Sequence, residues 1–124
     1  MLAFTDPREA YRRSQIDARV EGRADPADLV RLCLEQAIGG LGLAIIAYER
    51  RDPTARSKAL TRALSAVTAL DMGVDRSAPL ADALLQLYGA ARRAILDSVV
   101  KFDGDTLKLV RQDFVEIARA LSAD

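Results

Sequence analysis

Apolar residues recur along this chain at spacings of three and four over four stretches, separated by short polar breaks. That period lines up one face of an α-helix, so the pattern predicts four helices behind a charged N-terminal arm. The first opens at Asp25–Pro26 and continues to about Arg51. An aspartate at that point can accept from a free backbone N–H, and a proline in the first turn removes a donor that has no carbonyl to meet. Asp28 adds negative charge where the helix dipole favours it. Asp52–Pro53 repeats the start signal, and Ala59, Leu60, Ala63, Leu64, Val67 and Leu70 then make one stripe. Met72–Gly73–Val74–Asp75–Arg76 breaks it. A third helix is predicted from near Ser77–Ala78–Pro79 to about Phe102, with Leu80, Leu84, Leu87, Ala91, Ile95, Val99 and Phe102 inward. Asp103–Gly104–Asp105 turns the chain into a last helix whose Leu107, Val110, Phe114, Ile117 and Leu121 face inward.

Short connections between long amphipathic helices favour antiparallel neighbours, and four of them make a bundle. The expected fold is all-α, an antiparallel four-helix bundle over residues 26–124, with residues 1–25 as an N-terminal arm or short helix of the same single domain. The arm is dense in charge, which keeps it out of the main core. A short helix after Asp6–Pro7 would carry Tyr11.

Composition narrows the function. With 124 residues, half of them apolar, the chain can bury a real core; a domain of this size hides roughly two-thirds of its unfolded surface. Sparse aromatic and β-branched residues favour helix over strand. Eighteen lysines and arginines balance eighteen aspartates and glutamates, and no segment offers the basic face that phosphates require. No nucleic-acid partner is expected. A single cysteine, Cys33, allows no intrachain disulfide and suits a reducing compartment. The opening residues lack the basic and apolar regions of a signal peptide. The longest uncharged run, Gln36–Tyr48, is short of a bilayer span. A cytoplasmic protein without membrane insertion is the expectation.

Candidate chemistry is thin. There is no histidine, so imidazole bases and the Glu-x-x-His ligands of di-iron bundles are excluded. One cysteine makes no thiolate zinc site, and no glycine-rich phosphate loop occurs. No catalytic residue, metal ligand or cofactor site is assigned, and an enzyme is not expected. Asp113 and Glu116 read as a solvated helix face rather than a catalytic pair. Cys33, between Leu32 and Leu34, reads as a small hydrophobe.

The first helix is the anomaly. From Gln36 to Tyr48 it is apolar on nearly all sides and holds Gly39, Gly40 and Gly42, each costing about 1 kcal/mol against alanine in a helix interior. Either neighbours pack closely around a central helix, or a glycine-lined side admits a partner's backbone. Tyr11 and Tyr88 each join an apolar ring to a hydroxyl, which suits a half-buried surface. Packing is the simpler role for Tyr88, while Tyr11 fits a contact or a lid.

Read in order, these residues resemble the flagellar secretion chaperone family FliS. Members carry a tyrosine in an N-terminal arm, here Ala10–Tyr11–Arg12. A Pro-x-x-Leu-Val-x-x-Leu helix start follows, met by Pro26, Leu29 and Val30, with Cys33 replacing the last leucine; an alanine falls at Ala37. Leu70–Asp71 matches a Leu-Asp pair, and Leu80, Ala81, Leu84, Leu87 and Tyr88 match a Leu-Ala-x-x-Leu-x-x-Leu-Tyr segment. The chain departs from the family pattern at Leu34–Glu35–Gln36, where Tyr-Asp-Gly is usual. It departs again at Ser77–Ala78 ahead of Pro79, at Ala90, and in a longer arm between Tyr11 and Pro26.

The resemblance implies a cytosolic export chaperone. Such a protein binds the disordered C-terminal region of flagellin, prevents early polymerisation and delivers it to the flagellar type III export gate. Amphipathic segments that become helical only in company would find that company in apolar grooves. On this reading Leu29, Val30 and Cys33, with Leu84, Leu87 and Tyr88, border the grooves. The arm around Tyr11 and Ile16 covers one of them or meets the export machinery. The competing readings are an adaptor that forms a homodimer through its apolar helix, and a regulator that sequesters another flagellar protein.

Overall fold

Asp25 does start the first helix. Its carboxylate accepts from the Ala27 N–H at 3.0 Å, and its carbonyl takes the N–H groups of Asp28 and Leu29 at 2.9 and 3.1 Å. The computed structural model describes residues 25–122, and these form four helices and no strand. They are α1 (Pro26–Glu49), α2 (Pro53–Met72), α3 (Ala81–Val100) and α4 (Gly104–Ser122). The protein is all-α, and its helices pack as a four-helix bundle. The chain divides into two units, residues 1–30 and 31–124. Of the first, only Asp25 and the opening of α1 are described; Tyr11, Ile16 and the short helix expected after Asp6–Pro7 fall outside the described residues.

The α1–α2 turn is closed by backbone geometry. The Asp52 N–H bonds the Ala47 carbonyl at 2.9 Å and the Arg51 N–H bonds that of Tyr48 at 3.0 Å, the paired pattern that ends a helix through one left-handed residue. That residue is Arg51, at φ 57°. Asp52 then caps α2, its carboxylate accepting from the Ala55 N–H at 3.0 Å, with Pro53 opening the helix. One residue therefore finishes the first helix end and begins the second. At the far connection Asp103 caps α4 by accepting from the N–H and hydroxyl of Thr106 at 3.1 and 2.6 Å. Its own N–H donates to Ser98 Oγ at 3.2 Å.

The core follows the predicted stripes on α2 and α4 and departs from them on α3. Leu60, Ala63, Val67 and Leu70 are buried on α2, as are Leu107 and Phe114 on α4. On α3 the buried residues are Ala81, Tyr88, Ala91, Ile95 and Ser98. Leu80 and Val99, expected inward, are 68% and 63% exposed. Ala91 and Ile95 are buried as the stripe expects, but Ala81, Tyr88 and Ser98 share the arc with them, and Leu84 and Leu87 stand at its margin. Leu80 stands ahead of the helix altogether, and its side chain makes no cap. Ser98 is buried because its hydroxyl is used by the turn to Asp103.

All three glycines of α1 face groups of this chain itself. A Cβ on Gly40 would meet Ala63 N at 2.9 Å and Ala59 O at 3.0 Å, so α1 and α2 touch backbone to backbone. Over Gly39 lies the Arg62 guanidinium, and over Gly42 the Arg111 Nε. Arg62 Nε donates to Gln36 Oε1 at 2.7 Å. Arg111 Nε donates to the Ile38 carbonyl at 3.2 Å; with no Cβ on Gly42, one turn on, that carbonyl is open to approach. Close backbone packing thus accounts for Gly40, while Gly39 and Gly42 lie under arginine side chains. The whole of α1 is also longer than its uncharged run, and by length and composition it passes for a membrane span, with a window of mean hydropathy 1.7. A core helix passes the same test, and Leu34, Ala37, Leu41 and Ala44 are fully buried.

Candidate partner-binding surfaces

Cys33 is half-buried on α1, and burial pushes its thiol pKa up. The neutral thiol is neither a good nucleophile nor a good ligand. It lies close enough to Tyr88 of α3 to act on it: the Tyr88 pKa is raised first by burial and then by the charge Cys33 would carry. Tyr88 itself is only 3% exposed, its ring 6.1 Å from that of Phe114 and tilted by 38°. Leu84 and Leu87 are half-buried on the preceding turn of α3. Cys33 of α1 and Tyr88 of α3 are thus near enough for a charge on one to bear on the other. Leu29 is 44% exposed and Val30 half-buried, both in the unit of residues 1–30.

Three other surfaces carry features that the periodicity did not single out. Between α1 and α2 runs a groove of about 370 Å³, lined by Leu43, Ile46 and Ala47 on one side and Ala55 and Ala59 on the other. Arg50, Lys58 and Arg62 rim it, with Asp52 at one end. Its signal in the sequence was the excess of apolar faces on α1. Between α1 and α4 a second groove of about 410 Å³ is lined by Ile38, Val115, Ala118, Arg119 and Ser122.

The third surface is at the end of the bundle where α1 stops. Tyr48 stacks on Phe102, ring centroids 4.2 Å apart and planes within 12°. The Arg56 guanidinium lies 5.6 Å from the Tyr48 centroid and 5.9 Å from that of Phe102, a cation held against two π faces. Beside them is a cleft of about 690 Å³ with Glu49, Asp97, Asp103 and Asp105 against Lys101 and Lys108. Among the described residues no group of three or more His, Cys, Asp or Glu side chains is placed to hold a metal ion. Asp113 and Glu116 are exposed on α4, and Glu116 accepts from Gln112 Nε2 at 3.3 Å.

The class the fold defines is an all-α four-helix bundle with apolar grooves between its helices. The model of the flagellar protein FliS family matches residues 7–122. The chain belongs to that family, and membership implies a role as a flagellar export chaperone. No curated protein matches the chain.

Proposed function

We propose that this protein binds the disordered C-terminal region of flagellin in the cytoplasm, keeps it from polymerising early and hands it to the flagellar type III export apparatus. The observation that carries the reading is the family match over residues 7–122. Supporting it physically is exposed apolar surface at the start of α1, where Leu29 and Leu32 are each 44% exposed. Ordering a disordered tail costs about 2–5 kcal/mol, so a wrapped interface over several grooves suits this partner better than one compact pocket.

Leu29, Val30, Cys33, Leu84 and Leu87 contact the tail on this proposal. Tyr88 supports them from beneath through its packing on Phe114. The arm bearing Tyr11 and Ile16 covers the tail-binding surface in the free protein or meets the export gate.

Calorimetry with the C-terminal segment of flagellin from the same organism tests the reading. Coupled folding and burial give a large negative heat-capacity change; no heat of binding at any temperature overturns it. Leu29→Glu with Val30→Glu abolishes that signal while circular dichroism remains helical. Unchanged affinity in that folded variant removes those two residues from the interface.

A further inference from the structure

We propose that the α1–α2 groove is the docking site of a second protein partner, an amphipathic helix whose apolar stripe is flanked by carboxylates. The groove does not depend on the flagellin reading. None of Leu29, Val30, Cys33, Leu84, Leu87 or Tyr88 lines it.

Its floor is shaped for side chains of a helix. Leu43 and Ile46, one turn apart on α1, are 49% and 44% exposed, and the facing wall is built from the alanines at 55 and 59. Large residues on one wall and small ones on the other leave holes into which a partner's leucines can fall as knobs. The walls run from Leu43 to Arg50 and from Ala55 to Arg62, roughly 10 Å along each helix at 1.5 Å per residue, which matches about two turns of an added helix.

Its rim selects the charge. Arg50, Lys58 and Arg62 line the groove, against the single carboxylate of Asp52. Asp52 already accepts from the Ala55 N–H as the cap of α2, and Arg62, which donates to the neutral Gln36 amide, keeps its charge unpaired with an acid among the described residues. In a chain with equal numbers of cations and anions, three cations around one apolar floor make a local bias. The acids outnumber the bases instead around the cleft at the end of α1, where Glu49, Asp97, Asp103 and Asp105 stand with Lys101 and Lys108. A partner carrying glutamates or aspartates on both sides of its leucines meets apolar floor and basic rim together. A lysine-flanked helix with the same leucines meets repulsion at the rim.

The test uses the full chain and two labelled synthetic helical peptides of the same length and leucine stripe, one flanked by glutamate and the other by lysine. Fluorescence anisotropy should show the glutamate peptide binding at least tenfold more tightly, and its affinity falling as salt is raised from about 50 mM to about 500 mM. Arg50→Glu with Lys58→Glu changes two exposed residues that hold no part of the core, and it should reverse the preference by a similar factor. Leu43→Glu should abolish binding of both peptides. Four results overturn the proposal: equal affinity for the two peptides, displacement of the bound peptide by the flagellin tail, self-association in sedimentation that Leu43→Glu removes, or binding to anionic phospholipid vesicles in place of either peptide.

Discussion

Gly40 and Leu43 are three residues apart on α1 and both meet α2, yet one closes the contact and the other leaves it open. At Gly40 there is no room for even one more carbon, since a Cβ would come within 2.9 Å of Ala63 N. At Leu43 nearly half the side chain stays in solvent beside Ala55 and Ala59. The first fact explains the second. Small residues along one strip bring the two helices so near that large side chains on the next strip cannot enter the seam and stand along its edge. Close packing thus creates the groove. Leaving such side chains out forgoes part of the roughly 1.5–3 kcal/mol that full burial of a leucine or isoleucine provides, which a partner can recover.

Leucines on the two sides of α1 give the sharpest break. Leu41 is fully buried and Leu43 is 49% exposed. Leu41→Ala should cost about 2–5 kcal/mol in urea denaturation, and Leu43→Ala no more than about 1 kcal/mol. Equal losses would mean that the groove is part of the core. The seam itself is probed by glycine. Gly40→Ala should destabilise by about 1–3 kcal/mol through overpacking against the α2 backbone. The control is Gly89 on α3, where a Cβ would meet nothing within 4 Å: Gly89→Ala should stabilise by about 0.5–1 kcal/mol. If both glycines behave alike, helix propensity and not the seam decides.

What could be read from the sequence, and what could not, follows the same division. The starts of α1 and α2 were legible because capping is local: Asp25–Pro26 and Asp52–Pro53 need only their own next three residues, whereas α3 opens at Ala81, past the expected Ser77–Ala78–Pro79. The excess of apolar faces on α1 was legible too, and so was the need for a reason behind its glycines. The occupants of those glycines were not, because Arg62 and Arg111 reach them from α2 and α4, far along the chain. The rotation of α3 was hidden for a related reason. Beside the expected Ala91 and Ile95, its buried arc takes in Ala81 and Ser98, residues that periodicity weighs lightly, while Leu80 and Val99 lie outside it. Cys33, Leu84 and Leu87 came from ordered resemblance, and no spacing rule alone separates a groove residue from a core one. The basic rim required two helices to be set side by side, since Arg50, Lys58 and Arg62 are scattered in sequence.

The turn beside the groove offers a smaller effect. Arg51 holds a left-handed conformation that costs a residue with a side chain about 1 kcal/mol. Arg51→Gly should therefore raise stability by up to about 1 kcal/mol, seen as a higher urea midpoint. Because Arg51 does not line the α1–α2 groove, affinity for the glutamate-flanked peptide should stay as it is. A change in affinity would show that the turn, and not the Gly40 seam, sets the groove's width.

The smallest effect separates burial from charge. Among the described residues two carboxylates have pKa values pulled below the ordinary aspartate range, and neither lines the groove. Asp103 is lowered by the Thr106 hydroxyl and then by the Thr106 N–H. Asp75 is lowered by the Ser77 hydroxyl and then by the Ser77 N–H, both accepted by its Oδ1 at 2.7 and 3.0 Å. A folded-state pKa below the unfolded one gives stability that is fully present above the ordinary range. That contribution is lost as pH falls through the lowered value. The urea midpoint of the wild-type protein should therefore drop on acidification from about pH 6 toward pH 3. Asn at position 103 keeps a capping oxygen without titrating, so Asp103→Asn should show a shallower acid limb. The gap between Leu41→Ala and Leu43→Ala rests on buried apolar surface and should be the same at both ends of that range. If the gap closes in acid, the two turns and the α1–α2 seam unfold as one, and the open edge at Leu43 owes its exposure to the turns as well as to Gly40.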